Sequence, residues 1–166
     1  MKLTATEYAT LQVVASSLGV NSNDLYNLID FESGWNPKAK NTFSSARGLI
    51  QFVDSTAQKL GFKDSADLVK KNPTTIDQLS IVKRYLQQFA PFGSQQSLYM
   101  SVFYPSARTW STSTVFPDSV RNVNPGITTV SDYMKKVNGG KKNDAIIFIV
   151  GGIAILYILL KERIFK

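Results

Sequence analysis

Glu32 is one of three glutamates in the chain, with Glu7 and Glu162, and it has the setting for chemistry. It lies in Phe31-Glu32-Ser33-Gly34-Trp35, at the end of a helical pattern and among aromatic residues. Desolvation there disfavours the charged form of a carboxyl group and raises its pKa. A carboxyl that keeps its proton near neutral pH can give it to a leaving oxygen. The rest of the composition narrows the choices. With no His and no Cys, one chain cannot build a Ser-His-Asp or Cys-His site. Zinc loses its usual ligands, and no disulfide can form. Chemistry must run on Asp, Glu, Lys, Tyr, Ser or Thr, and carboxylate chemistry is the natural survivor.

A length of 166 residues suits one compact domain with an appendage. The net charge of +7 is unevenly spread. Residues 135–166 hold seven Lys/Arg against two acids, a net of +5, while residues 1–134 hold twelve against ten, a net of +2. The basic character belongs mainly to the C-terminal tail, so no specific nucleic-acid binding is expected.

The elements that must position Glu32 read as helices. Thr4-x-x-Glu7 forms a capping box ahead of Tyr8, Leu11, Val14 and Ala15, and Gly19 ends that helix. Asn21 or Ser22 caps a second helix with Leu25, Leu28 and Ile29 on its inner face. Glu32 follows Leu28 by four residues and projects from the same face, whereas Asp30 points elsewhere, toward solvent. Gly34 stops the helix. Residues 38–53 read as a loop or a small β-ribbon. Asp54 or Ser55 caps a short helix ending at Gly61, and Asp64 begins another. Thr75 starts the clearest helix, over Leu79, Val82, Leu86 and Phe89. Ser94 to Phe103 is a further helix, residues 106–127 read as loop, and Thr129-x-x-Asp132 caps a last helix through Val137.

The C-terminal end changes character. A basic Gly-rich linker, 139–144, precedes a run of sixteen uncharged residues, 145–160, and a basic tail, 161–166. At 1.5 Å per residue, sixteen helical residues cover roughly 24 Å of a hydrocarbon core of about 30 Å, and flanking polar residues can snorkel. A short buried core helix is the other reading. The absence of any polar face favours a transmembrane helix anchored in lipid. The N-terminus lacks the apolar stretch of a signal peptide. An extracellular substrate would then be reached by cell lysis, by delivery in a virus particle, or through the C-terminal anchor.

One spaced set of residues resembles a known family. Glu32-Ser33-Gly34-Trp35-Asn36-Pro37, Ala39, Gly48-Leu49-Ile50-Gln51-Phe52, Thr56-Ala57 and Leu60-Gly61 follow the order and spacing of the lytic transglycosylases of the SLT type, with their goose-lysozyme-like helical fold. The match is good over residues 32–61 and less specific through residue 104. The family's Met before Gln is Ile50 here, and Ser45 replaces a Gly. The downstream A-Y-N-A-G stretch aligns with Phe103-Tyr104-Pro105-Ser106-Ala107, where Pro105 replaces Asn.

The resemblance implies a mainly α, lysozyme-like domain over residues 1–138, with a small loop or β-ribbon element. It also implies cleavage of the bond between N-acetylmuramic acid and N-acetylglucosamine in peptidoglycan glycan strands, without cofactor or metal. Glu32 would protonate the glycosidic oxygen and then, as carboxylate, deprotonate the 6-hydroxyl to give a 1,6-anhydro product. Ordinary glycosidases need a second carboxylate; the resemblance implies that none is required, and Asp54 reads as a helix cap. Ser33 would orient Glu32, Gln51 would contact saccharide beside Ile50, and Tyr104 or Tyr99 would bond Glu32. Trp35 or Phe43 could stack on sugar rings, with Phe52 in the core. Small size, the missing export signal and the C-terminal anchor suggest a bacteriophage product in a virion membrane, or else one in the bacterial inner membrane, acting in genome delivery alongside other virion proteins. A hydrolytic muramidase on the same fold and a non-catalytic structural or peptidoglycan-binding protein are the alternatives.

Overall fold

The computed structural model describes residues 2–139. It holds eight α-helices among those residues: α1 (Ala5–Leu18), α2 (Ser22–Ser33), α3 (Asp54–Lys59), α4 (Ser65–Lys71), α5 (Thr75–Gln87), α6 (Gln95–Phe103), α7 (Asp118–Arg121) and α8 (Val130–Gly139). A 3₁₀ turn spans Pro105–Ala107. The mainly helical, lysozyme-like reading agrees with this architecture. The linker beyond Gly139, the 145–160 span and the tail lie outside the described residues. Among the described residues no helix is long and apolar enough to cross a membrane.

Local signals set most helix starts. Thr4 and Glu7 form the expected capping box on α1, Asn21 caps α2, and Thr74 with Asp77 forms a second box on α5. Each satisfies backbone N–H groups that have no partner within the helix. α2 packs against α1, α6 and α8, and α1 also packs on α5. The segment that ends in Glu32 therefore sits centrally, with Leu25, Leu28 and Ile29 fully buried. Gly34, at φ 64°, closes α2 by donating its N–H to the Asp30 carbonyl at 2.9 Å. Trp35 continues the left-handed turn at φ 66°. The chain thus reverses one residue after Ser33 and leaves Glu32 on the last inward-facing turn.

Residues 38–53 form isolated bridges, Lys40 with Arg47 and Arg47 with Phe52, in place of a true ribbon. The Arg47–Phe52 pair closes a tight turn over Gly48-Leu49-Ile50-Gln51 through bonds of 3.0 and 2.8 Å. A buried amide on α5 holds this turn in place. The Gln78 Oε1 accepts from the Leu49 N–H at 2.9 Å, and its Nε2 donates to the Pro37 carbonyl at 2.7 Å and the Asn72 carbonyl at 2.9 Å. One side chain therefore satisfies three backbone groups from two loops.

Three expectations need correction. Asp54 is the first residue of α3, and Val53 is the N-cap, with no side-chain cap bond. The Asp54 carboxylate accepts from the Ser65 N–H at 3.0 Å, joining α3 to α4. Its short side chain reaches the next helix start instead of its own. Asp30 is mostly shielded and pairs with Lys2 at 2.5 Å. The stretch 106–127 contains the short helix α7, whose four residues are too few to show periodicity, and buries Phe116, Val120 and Ile127. Next to it, Val115 bridges Thr129, and Ser131 N–H donates to the Thr112 carbonyl at 2.8 Å. This segment braces the start of α8.

Gly48 offers a sharp test of the Gln78 anchor. It sits at φ 75°, and a Cβ there would meet the Gln78 Oε1 at 2.4 Å. Gly48→Ala is expected to cost about 2–4 kcal/mol, from backbone strain plus a displaced buried amide. Equilibrium denaturation measures it, and a loss below about 0.5 kcal/mol would show that the turn is not held this way.

Candidate active site

The Glu32 side chain is 6% exposed. Its Oε1 accepts a hydrogen bond from the Tyr133 hydroxyl at 2.9 Å. Its Oε2 is buried without a hydrogen-bond partner. Burial is the larger influence and pushes the carboxyl well above the usual range, while the Tyr133 bond works against it. None of the ion pairs formed by described residues involves Glu32. The site is therefore arranged to hold a proton on Oε2 while Oε1 is fixed by a phenol.

Tyr133 comes from α8, 101 residues away in sequence. The Thr129 capping box starts this helix: Asp132 accepts from the Thr129 N–H at 2.8 Å, and the Asp132 N–H donates to the Thr129 Oγ1 at 3.3 Å. Val130, Tyr133 and Val137 then form its buried face, which packs on α2. The Tyr133 ring stacks on Phe103 with centroids 4.2 Å apart and meets Phe31 edge-on at 5.5 Å. Such contacts fix the phenol's direction. Burial, then the Glu32 charge, raises its pKa, so it remains a donor. Tyr85 is a second phenol near the acid. It donates to the Ser101 carbonyl at 2.8 Å, and burial first, then the Glu32 charge, pushes its pKa up.

Tyr133 takes the place expected for Tyr104 or Tyr99. The Tyr99 hydroxyl donates to the Asn138 Oδ1 at 2.9 Å. The Tyr104 ring packs against Trp110 and Phe116 instead, because Pro105 opens a 3₁₀ turn directly after it. Ser33 is likewise turned away from Glu32, its hydroxyl donating to the Ile29 carbonyl at 3.3 Å. Gln51 is buried at φ 54°, and its Nε2 closes the turn by donating to the Gly48 carbonyl at 2.9 Å. Ile50 is buried in the core beside Leu49 and Phe52. Trp35 is 5% exposed and packs on Tyr26 at 5.1 Å, whereas Phe43 is 56% exposed. The loop thus supplies a rigid floor, with Gln51 in the kind of left-handed strain that collects at functional sites.

Residues 10–90 match the family model described as Transglycosylase SLT domain. At the family level this supports a transglycosylase-type enzyme and suggests lytic transglycosylase activity on peptidoglycan. The match includes Glu32, Ser33, Ile50, Gln51 and Tyr85 and ends before Tyr99, Tyr104 and Tyr133. No curated protein matches the chain.

Tyr133→Phe isolates the phenol's role. The bond lowers the Glu32 pKa against a larger burial effect, so its removal lets the pKa rise further. Activity that needs protonated Glu32 should then persist to higher pH. Its plateau should fall roughly 10- to 100-fold, the worth of a hydrogen bond to a charged group. A pH–rate profile with an unmoved alkaline limb would exclude Tyr133 as the group that tunes Glu32.

Proposed function

We propose that the protein is a lytic transglycosylase that cleaves the MurNAc–GlcNAc bond of peptidoglycan and leaves a 1,6-anhydro end. The observation that carries this reading is a lone buried carboxyl. Among the described residues, burial and the Tyr133 phenol are the influences that shift Glu32, and no carboxylate is one of them. A two-carboxylate mechanism sets a second charged carboxylate about 5–9.5 Å away, and the lack of any carboxylate influence on Glu32 among the described residues favours a route in which one group serves twice. Protonated Glu32 gives the Oε2 proton to the glycosidic oxygen as the C1–O bond breaks. The substrate's acetamido oxygen bonds to C1 and takes up the developing positive charge. Glu32, now a carboxylate steadied by Tyr133, accepts the proton of the 6-hydroxyl. The 6-oxygen, so deprotonated, displaces the acetamido oxygen at C1, and Glu32 is left protonated as it began. No water is consumed.

Mass spectrometry of digested peptidoglycan tests the reading. The product is expected to be one water lighter than a hydrolytic muropeptide; a full-mass product would make the protein a muramidase. Glu32→Gln should lower cleavage by at least about 10²-fold, the usual contribution of a general acid. Equal clearing by both proteins would end the assignment of Glu32 as the acid, and no clearing by either would leave a binding or structural role.

The setting we propose is a lipid membrane held through residues 145–160, in a bacteriophage particle, with cell-wall opening during genome delivery as the task. The uncharged run with basic flanks supports the anchor. Purified particles should contain the full-length chain, released by detergent and not by high salt. Its absence from particles would refute the virion setting.

A further inference from the structure

A cavity of about 450 Å³ opens between α3 and α5. Tyr85 lines it and reaches inward, its hydroxyl donating to the Ser101 carbonyl of α6, the helix that packs on α2, which bears Glu32. Its other lining residues include Lys59, Leu60, Arg84, Gln88 and Phe89. Two are cations, and no carboxylate is among the described residues that line the cavity. Neither Lys59 nor Arg84 belongs to an ion pair formed by described residues. Arg84 is nonetheless held in place. Its guanidinium carbon lies 5.5 Å from the Phe62 ring centroid, and one terminal nitrogen donates to the Leu60 carbonyl. A guanidinium has five N–H donors in a planar fork, so most of its donor capacity is left for a ligand.

The glycan of peptidoglycan is neutral, and its peptide stems, attached through the muramic lactyl group, carry the carboxylates. Given the proposed function, on which this inference rests, we propose that Lys59 and Arg84 bind a carboxylate of the peptide stem next to the bond that Glu32 cleaves. Leu60 and Phe89 give the cavity apolar walls suited to the stem's aliphatic residues, which a bare phosphate group would not use. The Gln88 amide adds a hydrogen-bonding group of adjustable sense. The cavity would thereby make the enzyme select stem-bearing, uncapped wall material over amidated stems.

Binding separates this inference from the catalytic reading. The full chain carrying Glu32→Gln, in detergent, is sedimented with cell-wall sacculi in three forms: native, with stem carboxylates amidated, and stripped of phosphate polymers. The basic tail contributes to every measurement, so the comparison is between Glu32→Gln alone and the same chain with Lys59→Gln and Arg84→Gln added. The added pair should weaken binding to native and to phosphate-stripped walls roughly tenfold, as expected for loss of charge-assisted bonds. Binding to amidated walls should change by less than about twofold. Equal weakening on native and amidated walls, or none on either, overturns the proposal. A loss confined to walls that still carry phosphate polymer also overturns it, in favour of a phosphate ligand. Lys59→Gln alone, at an exposed position ending α3, guards against misfolding and should show part of the same preference. If binding follows this pattern while wild-type protein yields no anhydro product, the catalytic reading fails and the stem site stands.

Discussion

The hydrogen bond from Tyr133 to Glu32 is the interaction on which the site depends. It joins the last inward turn of α2 to the buried face of α8, across 101 residues of sequence. A buried carboxyl is costly in its charged form and retains its proton to higher pH. One phenol is a measured response to that cost: it fixes the orientation of Oε1 and steadies the carboxylate when it forms. A lysine or arginine in the same place would hold the group ionised and abolish its use as an acid.

Much of the remaining fold serves that geometry. Gly34 and Trp35, both at positive φ, end α2 just beyond the acid. Gln78 pins the loop that forms the floor. The segment before α8, bridged at Val115 and Thr129, delivers Tyr133 to its place between Phe103 and Phe31. These devices all lie in the described domain, whose burial and bracing let a carboxyl remain unpaired on one oxygen. Burial of Glu32 opposes folding above the ordinary glutamate pKa, because the unfolded chain releases the proton that the folded chain retains. Stability attributable to this group is lost as pH rises from that value toward the raised one.

Much of this was legible in sequence wherever a signal is local. Capping boxes at Thr4 and Thr129, caps at Asn21, Asp64 and Ser94, and the inward face of α2 all follow from spacing within a few residues. Glu32 was legible because its neighbours and spacing are themselves local. Its partner was not. Tyr133 sits on a helix whose cap and periodicity could be read, but nothing in those residues says which other helix its buried face will meet. Tyr99 and Tyr104 looked suitable by alignment, yet Pro105 turns the chain and sends Tyr104 to Trp110 and Phe116. Gln78 was invisible for a similar reason: a glutamine on a helix reads as surface until a loop 29 residues earlier needs its amide. Asp54 looked like a cap because its type and place fit one, while the competing Ser65 N–H lies in the next helix.

The central claim is that Glu32 holds its proton through the pH range in which an exposed glutamate has lost it. The chain has only three glutamates, Glu7, Glu32 and Glu162, so side-chain carboxyl ¹³C NMR over a pH series can resolve each one, with Glu32→Gln providing the assignment. The account predicts a Glu32 midpoint well above the usual glutamate value of about 4.3, and above that of Glu7, whose capping bonds to Thr4 lower its pKa. A midpoint at or below that value would contradict it, since a carboxyl already ionised at neutral pH has no proton to give.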